Sequence, residues 1–315
     1  MHLVIPFALA DADGCRQAAA GLSLPHLEQL LRRLRLEHTD RGDAGSWSTP
    51  AERVLARTHG LPVADGCIPW AAWRLERSGR ATGVQAWAEL TPCHLNVASS
   101  HIRMDPPQQL QLDADESRTL LDTMRPYFEE DGITLECDGP SRWLACGELF
   151  RAMAAASVDR VAGRDIEPWY PATLESAGLR RLQNEMQMLL YMHPVNDART
   201  ARAVPTVNAF WVSGCGAAPA SARSQPGPAG SVVEAGALRA PALAADWAAW
   251  AGAWRELDAT DCAALAAAAR GGAAVALSLC GASHALQFGP AQAPPLARWM
   301  KQFKRKGLYS FAEQL

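Results

Sequence analysis

Two short apolar runs near opposite ends of the chain constrain its fold more than any other feature. Residues 2–6 and 275–279 each have the length of a buried strand and contain no Asp, Glu, Lys or Arg. A helical pattern follows the first run at residues 24–36, and another precedes the second at residues 261–270. We therefore predict an α/β fold with a mainly parallel sheet, flanked by helices and shared by both ends of the chain.

The pattern changes between these ends and predicts an insertion. From Val84 onward, short strand-like runs end at Pro106–Pro107, a helix follows Asp113, and residues 133–136 and 142–145 form a hairpin pair. We predict that residues 84–146 form a small inserted α+β unit and that residues 1–83 and 147–315 form the α/β core. The run AAPASARSQPGPAG at residues 217–230 predicts a flexible loop.

Composition excludes some classes of function. The 315 residues are 49% hydrophobic and 20% charged, with a net charge of -3, which gives no reason to expect a nucleic-acid partner. No apolar run approaches the roughly 20 residues of a membrane span, and the first residues lack the basic segment of a signal peptide. We expect a cytoplasmic protein that does not bind membranes. The eight cysteines include no CxxC pair, so we expect them to be reduced.

Residues 179–216 join a helix to a run that is rich in amide, charged and glycine residues. We expect Pro194 to end the helix, Arg199 or the Asn196 amide to supply donors to its last carbonyls, and Asp197 to pair with Arg199 or Arg202. A core helix whose amides bond to neighbouring backbone explains the same pattern equally well. The candidate ligand-binding residues of this stretch are Gln183, Asn184, Gln187, His193, Asn196, Asp197, Arg199, Asn208 and Trp211.

Two further groups of residues are candidates for chemistry. His94 and His101 lie seven residues apart, with Cys93 and Asp105 nearby, and would form a metal site if two antiparallel strands brought the imidazoles together. The spacing matches no standard zinc pattern, so structural or substrate-contacting roles are favoured. Arg160 and Arg164 belong to a cluster of alternating charges that either binds an anion or neutralises itself.

Four segments carry a resemblance to a known family: LTPCHLNVASSHIRMDPP, SVDRVAGRDIEPWYP, LRRLQNEMQMLLYMHPVNDAR and VNAFWVSGCG. With them, the chain resembles the RpfE-type regulatory proteins of proteobacteria from its first strand to Gly216. That family is often labelled a cofactor-independent phosphoglycerate mutase, and the order of elements resembles the alkaline-phosphatase-like superfamily. The resemblance implies that residues 2–6 are the first strand of the core and that residues 84–146 are the inserted domain.

Departures from that superfamily favour binding over catalysis. Its members resemble two-metal phosphoryl-transfer enzymes, with a Ser or Thr nucleophile and Asp and His ligands. Here Asp11 or Asp13 would take the position of the first-strand carboxylate, but no Ser or Thr follows in the motif. Of the expected Asp-His ligand pair, only His284 is present, at a displaced position. Asp11 and Asp13 are explained at least as well by a solvated turn.

We therefore expect a non-catalytic regulatory or ligand-binding protein, a pseudoenzyme without a metal or another cofactor. Its partner would be a small anionic ligand or another protein. The alternative is an enzyme like phosphoglycerate mutase that uses a divalent metal for phosphoryl transfer. In that case His94 or His101 would act as the acid–base group, and arginines would hold the phosphate.

Overall fold

The computed structural model describes residues 1–98, 101–171, 173, 176–220, 231–290, 307–311 and 314–315. The chain forms two compact units. Unit 1 comprises Met1–Ala44, Thr49–His59 and Pro226–Leu315, and unit 2 comprises Gly45–Ser48 and Gly60–Gln225. Among the described residues, no helix has both the length and the apolar character that crossing a membrane requires.

The regular elements occur in short runs of strands and short runs of helices. The strands are β1 His2–Ile5, β2 Leu34–Arg41, β3 Trp87–Cys93, β4 Leu95–Val97, β5 Ile102–Met104, β6 Thr134–Cys137, β7 Trp143–Cys146, β8 Ala209–Gly216, β9 Val232–Glu234, β10 Ala276–Cys280 and β11 His284–Pro290. The α-helices are α1 Asp13–Ala20, α2 Pro25–Arg33, α3 Pro50–Thr58, α4 Trp70–Arg77, α5 Ala114–Glu130, α6 Val158–Val161, α7 Ala177–Tyr191, α8 Pro194–Ala201, α9 Arg239–Leu243, α10 Trp247–Leu257 and α11 Ala263–Arg270.

Unit 1 is built on a five-stranded sheet in the order β2-β11-β10-β1-β9. Strand β1 is parallel to both β10 and β9, with His2 opposite Ala276 and Ile5 opposite Leu279. This pairing confirms the prediction that the two terminal apolar runs share one sheet. The sheet is mixed rather than mainly parallel, because β11 is antiparallel to both β10 and β2. Only a few residues separate β10 from β11, and a connection that short joins antiparallel strands.

Helices cover this sheet with apolar side chains. Leu3 and Ile5 of β1 share a buried cluster with Leu27 and Leu30 of α2. The predicted helix at residues 24–36 ends at Arg33, and residues 34–41 continue as a strand. Asp258 lies in a short π-helix between α10 and α11. Its carboxylate accepts hydrogen bonds from the backbone N–H groups of His26 (3.2 Å) and Leu27 (2.7 Å). It therefore satisfies the first turn of α2, whose own N-cap residue offers no side-chain acceptor.

Unit 2 is built on an antiparallel sheet in the order β6-β7-β3-β8. One face is covered by α5 and α7, which contribute Leu121, Phe128, Leu182 and Met186 to a buried cluster with Trp143. The cluster on the other face includes Ala71, Ala72 and Leu75 of α4. The predicted hairpin at residues 133–136 and 142–145 is confirmed as β6 and β7.

Unit 2 extends well beyond the predicted insertion at residues 84–146. Strand β8 pairs with β3 inside the predicted insertion, so residues 209–216 complete the sheet of unit 2. Helix α7 completes the core, and α4 covers the opposite face. A fragment of residues 84–146 would therefore keep α5 on one face but leave the other face and one edge of its sheet open. Residues 221–230, most of the predicted flexible loop, lie outside the described residues.

The glycines near the end of β8 allow α4 to approach the strand closely. Gly214 has a φ of +63°, and a Cβ built there would lie 3.1 Å from Trp70 Cβ and 3.2 Å from the Ala71 backbone nitrogen. A Cβ on Gly216 would lie 3.0 Å from Pro69 Cβ. The two glycines of the run Ser213-Gly214-Cys215-Gly216 thus allow the start of α4 to pack closely against β8.

We expect Gly214→Ala to destabilise the protein by roughly 2–4 kcal/mol, because left-handed backbone strain adds to a steric clash with α4. Gly83→Ala is the matched control in the same unit, because Gly83 has a φ of +58° with nothing within 4 Å of a built Cβ. It should cost only about 1 kcal/mol, which is the strain alone. Urea unfolding of both variants checks this, and equal losses would contradict the packing role of Gly214.

Candidate functional site

The amide-rich stretch forms two consecutive helices. Helix α7 runs to Tyr191, and Pro194 begins α8 instead of leading into an irregular turn. The position suits proline, because the first residue of a helix needs no backbone N–H. His193 is the N-cap of α8, and its Nδ1 accepts the backbone N–H of Val195 at 3.2 Å. Asn196, Asp197 and Arg199 therefore all lie in a helix, although the sequence predicts that Pro194 ends the helical structure.

The Asn196 side chain links α8 by hydrogen bonds to α7 and to the segment before β8. Its Nδ2 donates to the carbonyls of Leu190 and Val207, each at 2.7 Å, and its Oδ1 accepts the Val207 N–H at 2.9 Å. The predicted donor to the last carbonyls of α7 is thus confirmed for Asn196. Because these bonds occupy both ends of a buried amide, Asn196 is structural.

Arg199 is the most deeply buried charged side chain of this stretch, with 1% of its surface exposed. Its guanidinium donates to the carboxylate of Glu116 on α5 and to the carbonyls of Leu110 and Pro205. Arg202, which is exposed, donates to the other oxygen of Glu116. The predicted pairing of Asp197 with Arg199 or Arg202 is wrong. Asp197 is exposed and forms no ion pair with any described residue, so it carries no burial cost.

The other candidates from this stretch do not converge on one pocket. Both ends of the Asn208 amide bond to the backbone of Leu95, at 2.7 and 2.9 Å, and the Trp211 indole N–H donates to the Ala156 carbonyl at 2.9 Å. Asn184 and Gln187 are exposed on α7. Gln183 Oε1 is buried and lacks a hydrogen-bond partner among the described residues. The structure thus supports the backbone-bonding explanation for most of this stretch, and we retain only the three α7 amides as untested candidates.

His94 and Arg164 lie on neighbouring strand-like segments of unit 2. Strands β4 and β5 pair, and the His94 carbonyl accepts the Asp105 N–H at 3.0 Å. Residues 163–166 continue the sheet, because the Met104 N–H donates to the Arg164 carbonyl at 3.1 Å and the Ile166 N–H to the Ile102 carbonyl at 2.9 Å. The structure thus places the backbone of these two groups on neighbouring segments, in a pairing that puts Arg103 opposite Asp165.

The ring of His94 is oriented by the segment before β8. Its Nδ1 lies 2.8 Å from the Thr206 carbonyl oxygen. A carbonyl can only accept, so we assign the proton to Nδ1. Nε2 has no partner among the described residues and is available to a ligand, as an acceptor when the ring is neutral and as a donor when it is protonated.

Three arginines near this sheet differ in their surroundings. Arg160 is buried, and its guanidinium donates to the Ser48 carbonyl at 3.1 Å, so it links α6 to the segment around Ser48. Arg103 and Arg164 are exposed and form no ion pair with any residue in the described part of the chain. Enough protein surrounds Arg164 that desolvation lowers the pKa of its guanidinium, although an arginine stays charged in any case. Arg103 was missed in the sequence because an exposed arginine in a strand carries no motif.

The weak metal candidates do not form a ligand set. Asp11 and Asp13 are exposed, and both accept hydrogen bonds from Arg16, at 2.8 and 2.6 Å. His284 begins β11, and its backbone N–H donates to the Leu315 carbonyl oxygen. Within the described ranges, no group of three or more His, Cys, Asp or Glu side chains could hold a metal ion. His101 is exposed next to residues that are not described.

Comparison with known proteins gives little guidance. No family model matches the sequence, and no curated protein matches it. A protein of Pyrococcus horikoshii, PH0037, has 11% identity and a TM-score of 0.45, over 92% of this chain and 87% of that chain. The cofactor-independent phosphoglycerate mutase of Thermoplasma acidophilum DSM 1728 has 11% identity and a TM-score of 0.37, over 93% and 90%. Scores this low support no argument, so the RpfE-type resemblance and the alkaline-phosphatase-like layout stay predictions.

We expect Arg199→Ala to destabilise the protein by about 3–5 kcal/mol, because it leaves Glu116 and two backbone carbonyls without their buried donor. Arg202→Ala is the matched control, because it removes an exposed partner of the same carboxylate and should cost less than about 1 kcal/mol. Urea denaturation measures both changes. Similar losses in the two variants would contradict the structural role of Arg199.

The cap at His193 predicts a dependence of stability on pH. Desolvation lowers the pKa of His193, against a smaller opposing effect of Asp197. The unfolded chain therefore takes up this proton first, and the contribution of the neutral cap is lost as the pH falls below about 6.5. His193→Asn, which keeps a capping acceptor, should lose less stability than the wild type between pH 8 and pH 5 in urea unfolding. Equal losses would show that His193 does not contribute.

Proposed function

We propose that the protein binds a small anionic ligand without transforming it, through the side chains of His94, Arg103 and Arg164 of unit 2. These three residues are called the cationic sheet edge below. The observation that carries the proposal is the unpaired state of Arg164. Desolvation lowers its pKa, yet no described carboxylate lies within ion-pair distance. An arginine in such surroundings favours an anion from solution as its counter-charge.

The backbone around these residues supports a preformed site. Hydrogen bonds from Met104, Asp105 and Ile166 hold the three segments in register. The bond from His94 Nδ1 to the Thr206 carbonyl fixes the direction of the ring. Binding then requires little ordering of the backbone, which lowers its entropic cost. Asp165 lies opposite Arg103 in the pairing of these segments, and its Oδ1 already accepts the Glu167 N–H at 3.2 Å, so its other oxygen could accept a hydrogen bond from a ligand.

A binding role needs only these side chains. Phosphoryl transfer would additionally need a nucleophile and a set of metal ligands. The candidate carboxylates Asp11 and Asp13 belong to unit 1, where both pair with Arg16. The proposed site therefore lies in unit 2 and binds its ligand without a reaction.

Calorimetric titration with inorganic phosphate and with pyrophosphate tests the proposal. Arg164→Gln and Arg103→Gln should each weaken binding about tenfold, which corresponds to the loss of one charge-assisted hydrogen bond. Arg255→Gln is the matched control, because Arg255 is an exposed arginine of unit 1 without an ion pair among the described residues. It should leave the affinity unchanged.

Two outcomes would overturn the proposal. Equal affinity in the wild type and both unit 2 variants would remove the cationic sheet edge as the site. Hydrolysis of p-nitrophenyl phosphate in the presence of manganese, abolished by a chelator, would show that the protein is a metal-dependent enzyme.

A further inference from the structure

His26, in the first turn of α2, pairs with a buried carboxylate. Its Nδ1 lies 3.1 Å from Oδ2 of Asp258. The Asp258 side chain is 5% exposed, whereas the His26 side chain is 39% exposed. The imidazole ring therefore connects a carboxylate that is shielded from water to a surface that solutes can reach.

The carboxylate fixes the position of the proton on this ring. A carboxylate can only accept hydrogen bonds, so we assign the proton of the neutral ring to Nδ1. Nε2 then carries the lone pair, and it has no hydrogen-bond partner among the described residues. A histidine held in this way presents a nucleophilic nitrogen on the side of the ring that faces away from the carboxylate.

Capping of α2 does not by itself explain the pair. Asp258 accepts the backbone N–H groups of His26 and Leu27, and both of these bonds would form with any side chain at position 26. The bond to Nδ1 is additional, because it needs a side chain that carries a donor. Histidine supplies that donor together with a second nitrogen that the cap does not use.

The backbone that carries Asp258 departs from regular helix. Helices α10 and α11 are joined directly by the π-helix Asp258–Cys262. Single π-helical turns are rare, and they occur frequently at functional sites. Here the π-helix begins with the residue that contacts the ring of His26, which is an observation independent of the hydrogen bond itself.

We propose that His26 is a phosphoryl-acceptor site, which takes a phosphoryl group onto Nε2 from a small donor of the phosphoramidate class. The Nε2 lone pair forms the new N–P bond while the P–N bond of the donor breaks, and the protonated donor nitrogen leaves as ammonia with that electron pair. The Nδ1 proton stays on the ring, which then carries a positive charge that the Asp258 carboxylate stabilises. The first turn of a helix also favours the negative charge of a phosphoryl group.

The contact with a carboxylate, rather than exposure, should decide which histidine reacts. His38 of β2 is more exposed than His26 and pairs with no carboxylate in the part of the chain that the structure describes. If exposure alone controlled the reaction, His38 would react faster. We expect His26 to react about tenfold faster, because the charge that develops on its ring is stabilised by a charge-assisted hydrogen bond. This site lies in unit 1 and is independent of the cationic sheet edge.

Incubation of the full chain with phosphoramidate tests the proposal, with the modification of each histidine followed over time by peptide mass spectrometry. His26→Gln should remove the fastest modification. Asp258→Asn keeps an oxygen that caps α2 but removes the negative charge, so it should slow the reaction of His26 about tenfold. Asp261→Asn is the matched control, because Asp261 lies in the same π-helix and does not contact the ring of His26. It should not slow the reaction.

Three results would overturn the proposal: a wild type in which His38 reacts as fast as His26, an unchanged rate in Asp258→Asn, or equal slowing by Asp258→Asn and Asp261→Asn. The last result would assign the effect to the charge of the segment instead of the contact. The rate of His38 in each variant is an internal reference, and circular dichroism checks the fold. The ratio of the two rates in the wild type requires no variant, so the test stands even if a substitution prevents folding.

Discussion

The parallel pairing of β1 with β9 and β10 is the constraint on which unit 1 depends. Strand β1 has only four residues, but Leu3, Val4 and Ile5 are completely buried, and both of its neighbours come from the last third of the chain. The chain must therefore bring distant segments together before its first strand has a partner on either side. Closure entropy grows only with the logarithm of loop length, so a long intervening segment adds little to this cost. That segment is free to form a unit with its own core.

In unit 2, polar side chains connect elements that apolar packing alone would leave loosely ordered. Arg199 joins α8 to α5 through Glu116 and holds the carbonyls of Leu110 and Pro205. Asn196 joins α8 to α7 and to the segment before β8, because its amide donates to the carbonyls of Leu190 and Val207. Buried polar groups must find partners, so a helix that carries them becomes fixed in direction and register. Structural amides and functional amides therefore look alike in a sequence.

Sequence alone predicted the features that depend on local patterns. The terminal strands, the hairpin of β6 and β7, and the helix capped by Asp113 follow from apolar periodicity and capping residues. The boundary of unit 2 could not be predicted, because β8 belongs there through its long-range pairing with β3 and its packing in the same buried cluster. The partner of Arg199 was hidden for a similar reason. Glu116 also takes part in the capping box of α5, and that local role fully explains it in a sequence.

The degree of burial also distinguishes the structural arginines from the candidate binding arginine. A buried arginine such as Arg160 or Arg199 needs an acceptor from the chain itself, and the structure provides one in each case. A fully solvated arginine needs none, because water stabilises its charge. Arg164 lies between these limits, since it is accessible but partly desolvated, and the described chain supplies it with no opposite charge. Its desolvation is a cost that folding leaves without compensation, and an anion from solution would offset it.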